Sequence, residues 1–185
     1  PVYTLPKPPA NLSSTLGDST TIELSWEDSN LRDKGYIVER REGNSWLRLN
    51  ADLLGADAMP PDTLVFVDED RMLDTRYTYR VAAVSQMDDR STGEQVDQMT
   101  PPPGASNFEV IRAESRKLTL SWTDNSASEL DYLLVSRRGS AANADAHTDV
   151  LPADTTTAEV TGLEQTTEYF FQLFARNSSG LSPPA

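Results

Sequence analysis

One strand-like stretch occurs twice in this chain. Ile22-Glu23-Leu24-Ser25-Trp26 returns as Leu118-Thr119-Leu120-Ser121-Trp122, with the two tryptophans 96 positions apart. In each copy the apolar side chains fall at every second position and polar ones lie between them, which is the period of a strand with one dry face. Such a face must be covered, and no stretch of the chain sustains the 3.6-residue period of a helix that could cover it. A second sheet is left to do so, and the expected class is all-β, with two β-sandwiches in tandem.

The repeat divides the 185 residues into an expected domain 1–100 and a second, 101–185, each long enough to bury a core. Leu12 and Phe108 stand fourteen positions before their tryptophans, and Tyr36 and Tyr132 ten after. Strands are expected from about Leu12, over Ile22–Trp26, Tyr36–Arg40, Trp46–Asn50, Leu64–Val67, Thr75–Val84 and Glu94–Met99. The second copy gives Lys117–Trp122, Tyr132–Arg137 (one residue longer through a bulge), Thr157–Val160 and Thr167–Ala175. Ala51–Asp62 and Arg138–Asp149 read as loops, the first with room for one helical turn at Asp52–Ala58. Pro1–Pro9 carries four prolines and reads as an extended lead. Gln98–Gly104, with three consecutive prolines, reads as a short stiff linker that sets the two sandwiches end to end as a rod.

Seven short strands per copy, a lone Trp ending the second, a Tyr ten later and Thr75-x-Tyr77 or Thr167-x-Tyr169 opening the sixth resemble the fibronectin type III domain over nearly the whole chain. The resemblance implies Greek-key, immunoglobulin-like sandwiches of three and four strands, with Trp26, Tyr36, Trp122 and Tyr132 in the cores and Tyr77 and Tyr169 as tyrosine corners. Leu163 stands six residues before Tyr169, as in the family. The first copy has Arg71 at that place, so Met72 or Leu73 is expected to fill the gap. After Tyr169 the text runs only to Gly180-Leu181-Ser182-Pro183-Pro184-Ala185, so the second copy is expected to lack its last strand and leave strand six with a bare edge.

Charge and chemistry narrow the function. A net charge of -13 repels phosphates, so nucleic acid is not an expected partner, and no apolar run is long enough for membrane insertion. There is no cysteine, so neither disulfides nor thiolate metal sites enter. The single histidine, His147, lies in a polar stretch without the partners of a triad or a metal site. Asp68, Glu69, Asp70, Asp88 and Asp89 read as solvated turn charges, and the only metal chemistry left open is weak calcium binding at a loop cluster. No catalytic residue, cofactor or metal ligand is assigned.

Trp46 is the one tryptophan outside the cores, and is the candidate ring to stack on a sugar or anchor a protein. Arg-Gly-Asp is absent; Arg138-Gly139-Ser140 comes nearest. Asn11 and Asn177 open glycosylation sequons of the kind that arise by chance. The expected role is a non-catalytic spacer in an extracellular or cell-surface multidomain protein of bacterial origin, whose partners are the neighbouring domains of its parent chain. The alternative is an adhesion module for a protein or polysaccharide ligand.

Overall fold

The computed structural model describes residues 4–30, 33–55, 62–139 and 146–185. Among these every regular element is a strand, and the chain divides into two compact units, Pro1–Met99 and Thr100–Ala185. In the first unit β1 (Ala10–Leu16), β2 (Ile22–Glu27) and β5 (Thr63–Asp68) form a sheet in the order β1-β2-β5. β3 (Asp33–Glu42), β4 (Ser45–Arg48), β6 (Arg76–Ser85) and β7 (Glu94–Met99) form a second in the order β4-β3-β6-β7. In the second unit β8 (Ser106–Ala113), β9 (Lys117–Thr123) and β12 (Thr157–Thr161) make the small sheet. β10 (Asp131–Arg138), β11 (Ala146–Pro152), β13 (Tyr169–Asn177) and β14 (Gly180–Leu181) make the larger one, in the order β11-β10-β13-β14. All pairings are antiparallel, and the non-sequential neighbours are those of a Greek key.

Alternation along the strands builds each core. Ile22, Leu24 and Trp26 on β2 meet Tyr36 and Val38 on β3 and Tyr79, Val81 and Ala83 on β6. Leu120 and Trp122 meet Tyr132, Leu134, Val160, Leu173 and Ala175. Each tryptophan ring contacts the tyrosine ten residues on, with centroids 5.8 Å apart in the first unit and 5.6 Å in the second. The indole N–H of both tryptophans is buried without an acceptor among the described residues, a cost that packing must offset.

Several expectations are corrected. Ala146–Pro152 lies partly within the stretch read as a loop, Arg138–Asp149, yet is an edge strand paired with β10 at every residue from Ala146↔Arg137 to Pro152↔Asp131. It escapes a hydrophobic-periodicity reading because Leu151 is its only residue packed against the core. Residues 140–145 of that loop, and with them Ser140 of the Arg-Gly-Ser sequence, lie outside the described residues, as do 56–61. Of the helical turn expected at Asp52–Ala58, Leu54 instead makes a ladder pair with Tyr36, and residues 56–58 fall in the undescribed part. The bulge expected in β10 is instead in β3, between Asp33 and Gly35, where Gly35 has φ +121° and an added Cβ would meet the Leu54 carbonyl oxygen at 2.5 Å.

The edge of strand six in the second unit is not bare along its whole length. Gly180–Leu181 pairs with Arg176 and Asn177, Ser182 N–H donates to the Ala175 carbonyl (2.8 Å) and Ala185 N–H to the Leu173 carbonyl (2.9 Å). Ser182 takes the place of Ser91: the Oγ of each accepts the N–H of the core alanine, Ala175 or Ala83, at 3.0 Å.

The tyrosine corners form in both units. Tyr77 Oη accepts the Met72 N–H at 2.9 Å, and Tyr169 Oη accepts the Glu164 N–H at 3.1 Å. Met72 does not plug the first corner, being 72% exposed. Arg71 itself does: its N–H bonds Thr20 O as Leu163 N–H bonds Arg116 O, and its guanidinium lies 5.6 Å from the Tyr77 ring centroid. Asp68, expected to be a solvated turn charge, is buried against Arg40 Nη1 (2.6 Å) and accepts the Tyr79 hydroxyl (2.7 Å). Strand registers place Ser136, Val160 and Phe171 where the first unit has Arg40, Asp68 and Tyr79, and the matching backbone bonds place Leu163 where it has Arg71. One sandwich therefore closes this end of its core with an ionic network, and the other with mostly apolar groups.

Three outcomes are expected. Trp122→Ala lowers the stability of the second unit by about 3–5 kcal/mol, seen as an early second transition in calorimetry; a transition within a degree or two of wild type would remove Trp122 from the core. Tyr79→Phe costs about 1–3 kcal/mol, since the lost bond is to a buried carboxylate, and more than Tyr169→Phe, whose partner is exposed. Arg40→Ser, Asp68→Val, Arg71→Leu and Tyr79→Phe together recover most of what Asp68→Val alone loses, as measured by denaturant unfolding.

Candidate binding surfaces and polar clusters

Trp46 sits on β4 beside Arg41 of β3, and so on the outer face of the four-stranded sheet. It is half-buried and not free: the Arg80 guanidinium lies 4.3 Å from its ring centroid. Arg80 is held there by Glu39, donating Nε–H to Oε2 at 2.7 Å and making a second contact through Nη2, while Arg90 approaches the other Glu39 oxygen at 3.5 Å. The candidate ring thus packs along its own sheet under a cation.

The corresponding face of the second unit carries no such cover. Tyr132, Leu134, Leu173 and Ala175 point into the core, so Leu133, Val135 and Phe174 point out. Val150, Leu133 and Phe174 are cross-strand neighbours in one row over β11, β10 and β13, with Phe170 and Leu181 on the same face. Val150 is 61% exposed, Phe170 42% and Leu181 45%. Sequence reasoning favoured Trp46 because it is a lone aromatic; the apolar row arises only from register, which the sequence does not display.

The loops after the tryptophans share one device. Asp28 Oδ1 accepts the Tyr36 hydroxyl (2.6 Å) and the Asn30 N–H (2.8 Å), and Asp124 Oδ1 accepts the Tyr132 hydroxyl (2.5 Å) and the Ser126 N–H (2.9 Å). Burial, and then the carboxylate partner, push both tyrosine hydroxyls well above their ordinary range. The same loops fasten the chain entering each sandwich: Ser29 Oγ donates to Pro8 O (2.6 Å) and Asn125 Nδ2 to Gly104 O (2.9 Å). The repeated Asp two residues after each Trp could have signalled this.

Trp26, Tyr36 and Tyr132 are fully buried, Trp122 nearly so, and Tyr77 and Tyr169 half-buried. His147 is exposed, with Nε2 3.1 Å from Asp149 Oδ1. Together with Leu134, Glu159 and Val160 these two line a cleft of about 270 Å³. Asp88 is exposed and pairs with Lys34 at 2.7 Å. Asn177 is buried, its Nδ2 donating to Thr100 O at 3.0 Å, so the folded second unit holds this sequon amide out of reach of a modifying enzyme. One acidic group has the spacing of a cation site: the ligand oxygens of Asp124, Glu129 and Asp154 all lie within 4.8 Å of one another. In the first unit the matching pair, Asp28 and Asp33, is buried.

The fibronectin type III domain model matches residues 101–185. Ephrin type-B receptor 4 of Mus musculus is 30% identical over 99% of this chain. Receptor-type tyrosine-protein phosphatase eta of Gallus gallus is 26% identical over 94% of it. The chain spans 20% of the first protein and 12% of the second. A two fibronectin type-III domain segment from chicken tenascin superposes with a TM-score of 0.54 at 14% identity, covering 96% of this chain and 95% of that one, so the two have the same fold.

A pH effect follows from the first acidic pair. Burial, and then the Asp28 charge, raise the Asp33 carboxyl above its ordinary 3.8. A raised carboxyl binds its proton more tightly folded than unfolded, so its ionisation costs stability at neutral pH, and that cost disappears as pH falls through the raised value towards 3.8. In chelator-treated buffer Asp33→Asn is expected to be more stable than wild type at pH 7, with the difference shrinking on acidification; denaturant unfolding across that range measures it.

Proposed function

We propose that this chain is a non-catalytic spacer of a larger extracellular or cell-surface protein, which sets its neighbouring domains at a fixed separation. The observation that carries this reading is the joint. Only Thr100–Ala105 separates β7 from β8, and three of those six residues are proline. The carbonyls of Thr100 and Gly104 are held by Asn177 and Asn125 of the second unit. Gly104 runs so close to Pro183 that an added Cβ would meet its carbonyl oxygen at 2.8 Å. Three prolines fix the φ angles of this segment, and its bonds fasten it to the second unit. The relatives bearing receptor names support an extracellular or cell-surface setting. They come from animals and lend no support to a bacterial source, which forms no part of the proposal.

A second reading, a protein-binding module, is favoured by the outward-facing apolar row of exposed Val150 and half-buried Leu133 and Phe174, residues that a spacer does not require. The polysaccharide version loses its anchor, since Arg80 covers one face of Trp46.

Small-angle scattering separates these ideas. A spacer gives the profile of two bodies at one fixed separation, and replacing Pro101–Pro103 with Gly-Ser-Gly broadens the distance distribution. A profile like that of a single sphere of this mass would overturn the spacer. A wild-type profile that rises to a dimer with concentration, and that Phe174→Glu returns to monomer, would favour the binding face.

A further inference from the structure

Among the described residues the larger sheet of the second unit ends on β11. Edge strands are commonly blunted by brevity, by a bulge, by lysine or by an interior proline. β11 has none of these: its register against β10 is unbroken over seven residues, it holds no lysine, and its proline is the last residue. The corresponding strand of the first unit, β4, has four residues, and the edge strands β1 and β8 are bulged. The one carboxylate of β11, Asp149, is met by His147 at 3.1 Å.

Register tells which groups this edge presents. Leu173 and Ala185 exchange backbone bonds, and the Ala175 carbonyl accepts the Ser182 N–H, so Leu173 and Ala175 turn their backbone away from β10. Direction alternates from residue to residue in an antiparallel sheet. Gln172 and Phe174 therefore turn towards Val135 and Leu133, which leaves Tyr132, Leu134 and Ser136 to bond Leu151, Asp149 and His147. The N–H and C=O groups of Ala146, Thr148 and Val150 then point out of the edge, as does the Pro152 carbonyl, which accepts the Thr155 hydroxyl at 2.6 Å. The side chains of Ala146, Thr148 and Val150 are exposed on the outer face, while His147 and Asp149 line the cleft beside β12.

We propose that β11 is a homotypic docking edge, through which two copies of this chain pair antiparallel about a twofold axis at Thr148. Registers centred on Thr148, Asp149 or Val150 would bring edge-facing residues opposite one another. The one centred on Asp149 sets the two Asp149 carboxylates face to face, and the one centred on Val150 sets Thr148 against Pro152, which has no N–H. The register centred on Thr148 avoids both. Ala146 faces Val150 and Thr148 faces its own copy, so every outward N–H from Ala146 to Val150 finds a carbonyl. His147 faces Asp149 at the non-hydrogen-bonded pairs, where side chains approach most closely. Val150 comes to lie beside Ala146 of the second copy, which carries the apolar row of the outer face across the joint. This match of the strand to itself, in backbone and in side chain, is what singles out a second copy as the occupant. Because the pairing uses the same edge on both chains, it closes at a dimer. It concerns the second unit alone and does not rest on the spacer reading.

Sedimentation velocity of the full chain over a concentration series is the test, with amide exchange measured at both ends of the series. Wild type is expected to pass from monomer to dimer and stop there. Exchange at Thr148 and Val150 slows with concentration, whereas that at Asp149, already bonded to β10, does not. Thr148→Pro removes only an edge-facing N–H, leaves the ladder to β10 whole, and is expected to weaken the dimer at least about tenfold. His147→Asp sets like charges opposite each other and weakens it too, and combining it with Asp149→His restores it; this exposed pair keeps the test open should Thr148→Pro disturb folding. Phe174→Glu, on the outer face two strands in from the edge, leaves the dimer intact. The proposal is overturned if wild type stays monomeric throughout, if it grows past the dimer, if folded Thr148→Pro or His147→Asp dimerises like wild type, or if Phe174→Glu dissolves the dimer.

Discussion

The bond from the Tyr36 hydroxyl to Asp28, and its repeat from Tyr132 to Asp124, is what the rest of each sandwich depends on. It spans the gap between sheets at the end of β2 or β9, where the strand stops being covered by its partners. The tyrosine ring packs edgewise on the tryptophan inside the core while its hydroxyl closes the loop outside it. Because the aspartate lies two residues beyond the tryptophan, the strand, the turn and the first residue pair of the next sheet are tied at one point. From that turn Ser29 or Asn125 reaches the incoming chain, so a single buried bond organises both the core and the way the domain joins what precedes it.

The two units show how far one fold tolerates different chemistry at the same positions. Around the tyrosine corner, four residues of the first unit form an ionic network that the second replaces with Ser136, Val160, Phe171 and Leu163. The exchange is concerted because any one charged member without the others would be buried and unpaired. The outer sheet faces differ in the opposite sense, with Trp46, Arg80 and Glu39 sealing one unit and an apolar row left open on the other. A repeat in sequence is therefore not a repeat in surface, and any recognition belongs to one unit rather than to both.

What could be read from sequence follows from this. Trp26 and Trp122, with Tyr36 and Tyr132, were legible because burial forces a strict period of two and fixed spacings. β11 was not, because an edge strand that contributes only Leu151 to its core obeys no such period. Arg71 was legible as a departure but not as a solution, since a guanidinium stacked on Tyr77 looks in sequence like a surface charge. Asp68 was misread for the same reason: a carboxylate in a run of three acidic residues at the end of a strand gives no sign that Arg40, 28 residues earlier, faces it. Long-range polar pairs leave no local pattern.

The acidic loops carry that lesson to the functional question. Asp28 and Asp33 on one hand, and Asp124 and Glu129 on the other, were both read as turn-forming text, and in both units the first aspartate does cap its turn. What separates them is hydrogen bonding. Glu129 is as buried as Asp33, yet its Oε1 accepts the Asp154 N–H, whereas Asp28 Oδ2 and Asp33 Oδ2 accept from no donor among the described residues. Equal spacing with unequal hydrogen bonding leaves the carboxylate satisfied in one unit and carrying a desolvation cost in the other. Since this turn also grips Lys7 and Pro8, that cost falls where the lead meets the first sandwich.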